Sequence, residues 1–178
     1  RLILRQDNAD IRLSHIGRRI GLVSDEHYNK VVSKYAAVDR EIKRLEKTYA
    51  APSPELSEML KSHGTTVPVS GVSLASLIRR PQLDYNCTAP FDPDRPRLDS
   101  AVTEQVEISL KYAGYIEKQL KQIEDFRKME EKTLPDDIDY SNINGLRLEA
   151  RQKLGRIRPR NLGQASRISG VSPADIAA

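Results

Sequence analysis

SDEHYNKVVSKYAAVDREIKRLEKTY, residues 24–49, is the stretch on which the fold turns. Tyr28, Tyr35, Ile42 and Tyr49 recur every seven residues, and Val31, Val38 and Leu45 stand three places after the first three. Alternating steps of three and four make one apolar seam along a helix, here over about three heptads. The flanking Lys30, Lys34, Arg40, Glu41, Lys43 and Glu46 read as solvated charges. Ser24 offers an N-cap, with Asp25 and Glu26 in the first turn, where the helix dipole favours acids. The tyrosines read as packing residues with a wet hydroxyl, not as a cofactor contact.

Before this seam, residues 10–19 predict a short helix that Gly17 and Gly21 weaken and stop. After it, Pro52 and Pro54 end the long helix, and residues 55–62 form a short one. Ser73 caps another over 74–80, which Pro81 terminates. Residues 81–96 hold four prolines, three aspartates and no periodicity, so they read as an irregular excursion.

A second long helix is expected from about Leu98-Asp99-Ser100 to Lys132. Val102, Val106, Ser109, Ala113, Ile116, Leu120 and Ile123 repeat the same steps, and Tyr112, Tyr115 and Phe126 widen the stripe. At a rise of 1.5 Å per residue it spans about 50 Å, too long and too charged to bury itself. Pairing it with the 25–49 helix predicts an antiparallel hairpin. Residues 146–157 and 162–169 then predict two short helices. Ser172 with Pro173 starts a last one, since proline suits the first helical position.

The expected fold class is therefore all-α, a long helical hairpin or bundle with an irregular insertion and a small C-terminal helical subdomain. Its parts are a connecting segment over 1–23, a helical bundle over 24–140 with the Pro-rich insertion at 81–97, and a basic subdomain over 146–178. Opening at Arg1 without a methionine, the chain reads as a piece of a longer one.

Charge divides the chain unevenly. Residues 1–20 carry five arginines against Asp7 and Asp10, and residues 146–178 carry seven basic residues against Glu149 and Asp175, while the middle is net acidic. Basic ends are the footprint expected where part of a surface meets a polyanion. Arg151, Lys153, Arg156, Arg158, Arg160 and Arg167 crowd into seventeen residues, and guanidinium forks suit phosphate. Solvation of helical faces by arginine is the plainer alternative.

Chemistry is harder to find. Nine glycines include no Gly-x-Gly pair, which excludes a dinucleotide fingerprint. His15, His27 and His63 have no partner at helical spacing, and the single Cys87 lies in an acidic, Pro-rich stretch with no histidine near it in sequence. No catalytic, cofactor-binding or metal residue is assigned. No apolar run approaches the roughly 20 residues that cross a bilayer.

Four blocks carry a resemblance. Arg5-Gln-Asp-Asn-Ala-Asp-Ile-Arg12-Leu precedes Ile16-Gly17-Arg18 and Gly21-Leu22-Val23. Val106-Glu107-Ile108 precedes Lys111-Tyr112-Ala-Gly114-Tyr115-Ile116-Glu-Lys-Gln119. Leu134-Pro135 precedes Asp139-Tyr140, and Leu162-Gly163-Gln164-Ala165-Ser166-Arg167-Ile168-Ser169-Gly170-Val171-Ser172-Pro173 closes the series. In order and spacing these resemble the C-terminal helical region of the MnmG (GidA) family of bacterial tRNA-modifying flavoproteins.

The resemblance implies a parent that, with the GTPase MnmE, installs a carboxymethylaminomethyl or aminomethyl group on the wobble uridine of tRNA. It uses FAD and NADH, and the family's flavin and nicotinamide sites and catalytic cysteines lie outside this chain. It further implies a cytoplasmic homodimer that assembles with MnmE into a heterotetramer, with no membrane partner. This chain would place tRNA and bind MnmE. Arg5, Arg12, Arg156, Arg158, Arg160 and Arg167 are the expected RNA-facing residues. Tyr112, Tyr115, Gln164 and Arg167 are the expected partner contacts. Asp175 stands where the family carries a small residue, which lowers the local positive field. The rival reading is a purely structural helical adaptor that never touches RNA.

Overall fold

A computed structural model describes residues 2–178. The chain runs α1 (Ala9–Arg19), α2 (Asp25–Lys47), β1 (Tyr49–Ala50), α3 (Pro54–Ser62), β2 (Val72–Ser73), α4 (Leu74–Ile78), a 3-10 turn (Asn86–Phe91), α5 (Ser100–Glu131), α6 (Leu148–Ile157), α7 (Leu162–Ser166) and α8 (Pro173–Ala177). It is mostly helical, and its one sheet is a two-residue antiparallel pair, Tyr49 opposite Ser73 and Ala50 opposite Val72. Helix starts follow the side-chain capping logic of the sequence. Ser24, Ser53, Ser73, Asn161 and Ser172 each accept a hydrogen bond from the backbone three residues on.

Two compact units result, one ending at Ile116 and one covering Glu117–Ala178, with the division inside α5. In the first, the seam of α2 buries Val31, Val38 and Leu45, and the last two share a core with Leu56, Leu60, Leu74, Leu77, Ile78, Val102, Val106 and Leu110. The excursion is less irregular than its composition suggests. Its 3-10 turn places Tyr85, Thr88 and Asp92 in the interior. In the second unit, Tyr140, Leu146, Ala150, Leu154 and Ala165 form a separate small core.

Two expectations need correcting. Glu41, read as a solvated flank, is only 3% exposed. Its neighbour on the next turn, Arg44, donates to both its oxygens and to both oxygens of Asp92, which the excursion brings back against α2. The apolar stripe of α5 is likewise buried only at its start. Val102, Gln105, Val106 and Leu110 are covered, whereas Leu120, Ile123 and Phe126 are each about half exposed. A helix of 32 residues outreaches the small core available to it, so periodicity alone overstates its burial.

Candidate nucleic-acid interface

In the second unit, α6 ends at Arg158, whose φ of 51° makes it the one non-glycine in the left-handed region among the described residues. Such a residue costs roughly 1 kcal/mol or more unless its surroundings hold it. Here the guanidinium donates to the carbonyls of Asp136 and Ile138, at 3.1 and 2.9 Å, and lies over the Tyr140 ring. Arg158 is thus a clamp on the segment that leads into the unit. The reversed chain then pairs with the end of α5. Leu134 N donates to Arg160 O, and Leu162 N donates to Lys132 O.

Of the seven basic residues over 146–178, five are engaged, Arg147 and Arg158 among them. Lys153 bridges Glu149 and the Ser169 carbonyl. Arg151 donates to Ile143 O while its Nε is buried without a partner. Arg167 pairs with Glu130 at 2.7 Å, both side chains at least half exposed. Arg156 and Arg160 are exposed, and among the described residues neither side chain has an intramolecular partner. Only the backbone of Arg160 is bonded, its N–H donating to Gln164 Oε1.

The N-terminus of α8 cannot serve an incoming anion. Asp175, 5% exposed, closes a capping box with Ser172 and receives Arg147 through its backbone N–H, Nε and Nη2. Instead of merely weakening a positive field, this carboxylate fills the site and ties α8 to the start of α6. Hydrogen bonds from Arg147, then from Ser172, hold its carboxyl well below the usual carboxylate range. A carboxyl depressed by folding stabilises the fold fully above its unfolded pKa, and that contribution is lost as pH falls through the folded value. Acidification below about pH 4, the ordinary aspartate value, is therefore expected to loosen α8. Far-UV circular dichroism across an acid titration should show that loss in the wild type, and Asp175→Asn should flatten it.

In the first unit Arg5, Arg12 and Lys34 bond within the fold, whereas Arg18, Arg19, Arg40, Lys43 and Lys47 are exposed. Arg5 forks onto Asp7 at 2.8 and 2.9 Å, donates to Leu2 O, and lies over Tyr112. The same fork holds the Asp7 carboxyl below its ordinary value. Arg12 donates to Asn8 Oδ1 and to Arg5 O. Lys34 and Tyr35 of α2 both reach Asp10, which anchors α1. Tyr112 and Tyr115 are exposed on α5 with ring centroids 6.4 Å apart.

No group of three His, Cys, Asp or Glu side chains among the described residues could hold a metal ion, and no described helix is long and apolar enough to cross a membrane. What the sequence hid is a juxtaposition. His63, at the end of α3, comes within 3.6 Å of Cys87 although 24 positions separate them.

Two family models match the chain. Residues 25–120 fit the tRNA modifying enzyme MnmG/GidA C-terminal helical domain, and residues 122–178 fit the MnmG/GidA C-terminal helical bundle. Among similar proteins, the tRNA uridine 5-carboxymethylaminomethyl modification enzymes MnmG of Caldicellulosiruptor saccharolyticus, Clostridium kluyveri and Bacillus subtilis are 54%, 52% and 50% identical over 176 residues. The alignments take in 99% of this chain, which spans 28% of the length of each relative. Among solved structures, Aquifex aeolicus GidA in its form II crystal matches 97% of this chain and 26% of its own, at 34% identity and a TM-score of 0.60.

Proposed function

Since the chain belongs to the MnmG/GidA family of tRNA-modifying enzymes as its C-terminal helical region, we propose that it places tRNA and docks MnmE while the chemistry proceeds elsewhere in the parent. In this reading the parent is a cytoplasmic homodimer that forms a heterotetramer with MnmE and modifies the wobble uridine with FAD and NADH. The residues of this chain do not fit those cofactors. They contain no Gly-x-Gly turn and so lack the close backbone approach that a pyrophosphate needs.

The observation that carries the reading is the pair of unengaged guanidiniums, Arg156 and Arg160, on a segment of net charge +5. A phosphate gains most from a cation that has no internal carboxylate to leave. Arg167 can also exchange onto RNA, because an exposed ion pair such as its contact with Glu130 contributes only about 0–1 kcal/mol. Arg5, Arg12 and Arg158 serve the fold instead. Tyr112 and Tyr115, with Gln164 and Arg167, remain the proposed MnmE contacts.

Reversing Arg156 and Arg160 to Glu in the full-length enzyme is expected to weaken tRNA binding. It should also make the slope of log affinity against log salt shallower by roughly 1.5–2, since two phosphate contacts are removed. If binding and slope both match the wild type, RNA contact by these residues is ruled out. The adaptor reading draws on the half-exposed Leu120, Ile123 and Phe126 of α5. Capture of MnmE that is indifferent to tRNA and to both reversals would favour it.

A further inference from the structure

We propose that Leu13 and Ile16 of α1, with Ile20 at its C-cap, form the surface against which the larger part of the parent polypeptide packs, an interface separate from the RNA and MnmE contacts. The observation is an inverted helix. With Ala9, these residues stand at steps of four, three and four, one apolar stripe along α1. In a self-contained domain such a stripe faces the core. Here its three large side chains are between 38% and 60% exposed, and the one buried residue of α1 is Ser14. The face turned to α2 is polar instead, where Asp10 accepts from Lys34 Nζ and from the Tyr35 hydroxyl, each at 2.7 Å. Leu4, Ile11 and Leu22 are exposed as well. A single exposed leucine signifies nothing, but six large aliphatic side chains over residues 4–22, three of them in register, mark a surface that something covers.

Family boundaries identify the occupant. The match to the C-terminal helical domain begins at residue 25 and that to the helical bundle at 122. The relatives nevertheless align over 99% of the chain, α1 included, and that is only 28% of their length. In them α1 stands at the joint between the C-terminal helical region and the much longer part ahead of it. A second copy of the chain is the poorer occupant. α1 has 11 residues and is about 16 Å long, too short a seam to bury the roughly 1,200–2,000 Å² of a stable association. A surface on the same polypeptide is held beside α1 by the chain itself and needs no such area. The two faces then divide the joint. An ion pair and hydrogen bonds hold α1 to α2, and apolar burial holds it to the parent.

The test compares the full-length enzyme with the 178-residue chain, without tRNA or MnmE, so that its outcome is independent of the proposed function. Hydrogen exchange of the α1 amides should be roughly tenfold slower or more in the enzyme, since burial of the stripe suppresses local opening, while the α3 amides exchange alike in both. Benzoylphenylalanine in place of Leu13 should crosslink, on irradiation, to residues of the same polypeptide that precede this chain. The triple variant Leu13→Gln, Ile16→Gln, Ile20→Gln keeps side chains that suit a helix. In the 178-residue chain it should leave the melting midpoint unchanged and lower binding of the dye ANS, and in the enzyme it should abolish the extra protection of α1. Equal α1 exchange in enzyme and chain overturns the proposal. So does a crosslink that joins two copies or stays within residues 2–178. A lowered midpoint in the 178-residue chain overturns it too, because the stripe would then pack inside that chain.

Discussion

Arg44→Ala is expected to destabilise the first unit by about 3–5 kcal/mol, the cost of leaving buried charge without its partner. The magnitude follows from what surrounds the guanidinium. It donates to Glu41 at 2.8 and 2.9 Å and to Asp92 at 2.6 and 2.8 Å, and the side chains of those two acids are only 3% and 1% exposed. Removing the one cation between them strands two carboxylates in the interior. Tyr85 answers only part of that loss. Its hydroxyl donates to Glu41 at 2.7 Å, and burial, aided by Glu41, pushes its own pKa up to about 12. Urea denaturation should report the deficit as a lowered midpoint. In an E41Q/D92N background the same Arg44→Ala should cost much less, because no stranded charge remains. Equal costs in both backgrounds would mean that Arg44 contributes through its alkyl packing rather than its charge.

The second unit should be most sensitive at Gly163. A Cβ there would lie 2.5 Å from Glu130 Cγ and 3.2 Å from the backbone N and Cα of Glu130. The side-chain carbon can rotate away, but the helical backbone of α5 cannot, so Gly163→Val must push α7 off α5. Overpacking of this kind costs about 1–3 kcal/mol, and a unit of this size has little stability to spare. The displaced segment includes the backbone bridge through Arg160 and Leu162, so RNA binding by the parent should fall along with stability. Gly155 is the control. It lies within α6, and a Cβ there meets nothing within 4 Å. Gly155→Ala should therefore stabilise the unit by about 0.5–1 kcal/mol through helix propensity. Hydrogen exchange of the α7 amides, faster in Gly163→Val and unchanged or slower in Gly155→Ala, would separate the two effects.

These sites differ in how far the sequence discloses them. The seam of α2 is legible in part, because a helix repeats its own geometry: Val31, Val38 and Leu45 are buried as their spacing requires, whereas Tyr49, assigned to the same seam, lies past the helix end in β1 and is 65% exposed. Caps were legible because Ser24 and Ser172 bond within three residues of themselves. The burial of Glu41 is not legible, because it depends on Asp92, about fifty positions away, a residue inside a stretch with no periodic signal at all. The outer half of α5 was overread for the converse reason. Its stripe meets the periodicity rule, but a rule about faces is silent on whether anything faces them.

For the candidate interface, helicity, the helix starts and the excess of arginine in the last 33 residues can all be read along the string of residues. Only the tertiary structure decided which arginines remain available. It set Arg5 on Asp7, Arg158 on two carbonyls and Arg147 on Asp175, leaving Arg156 and Arg160 unengaged, and it brought His63 to Cys87. The physical reason is range. Helical periodicity and capping act between residues three or four apart, so they can be read along a string. The state of a charge or a thiol is set by whatever lies within a few ångströms in space, and only folding brings those neighbours together.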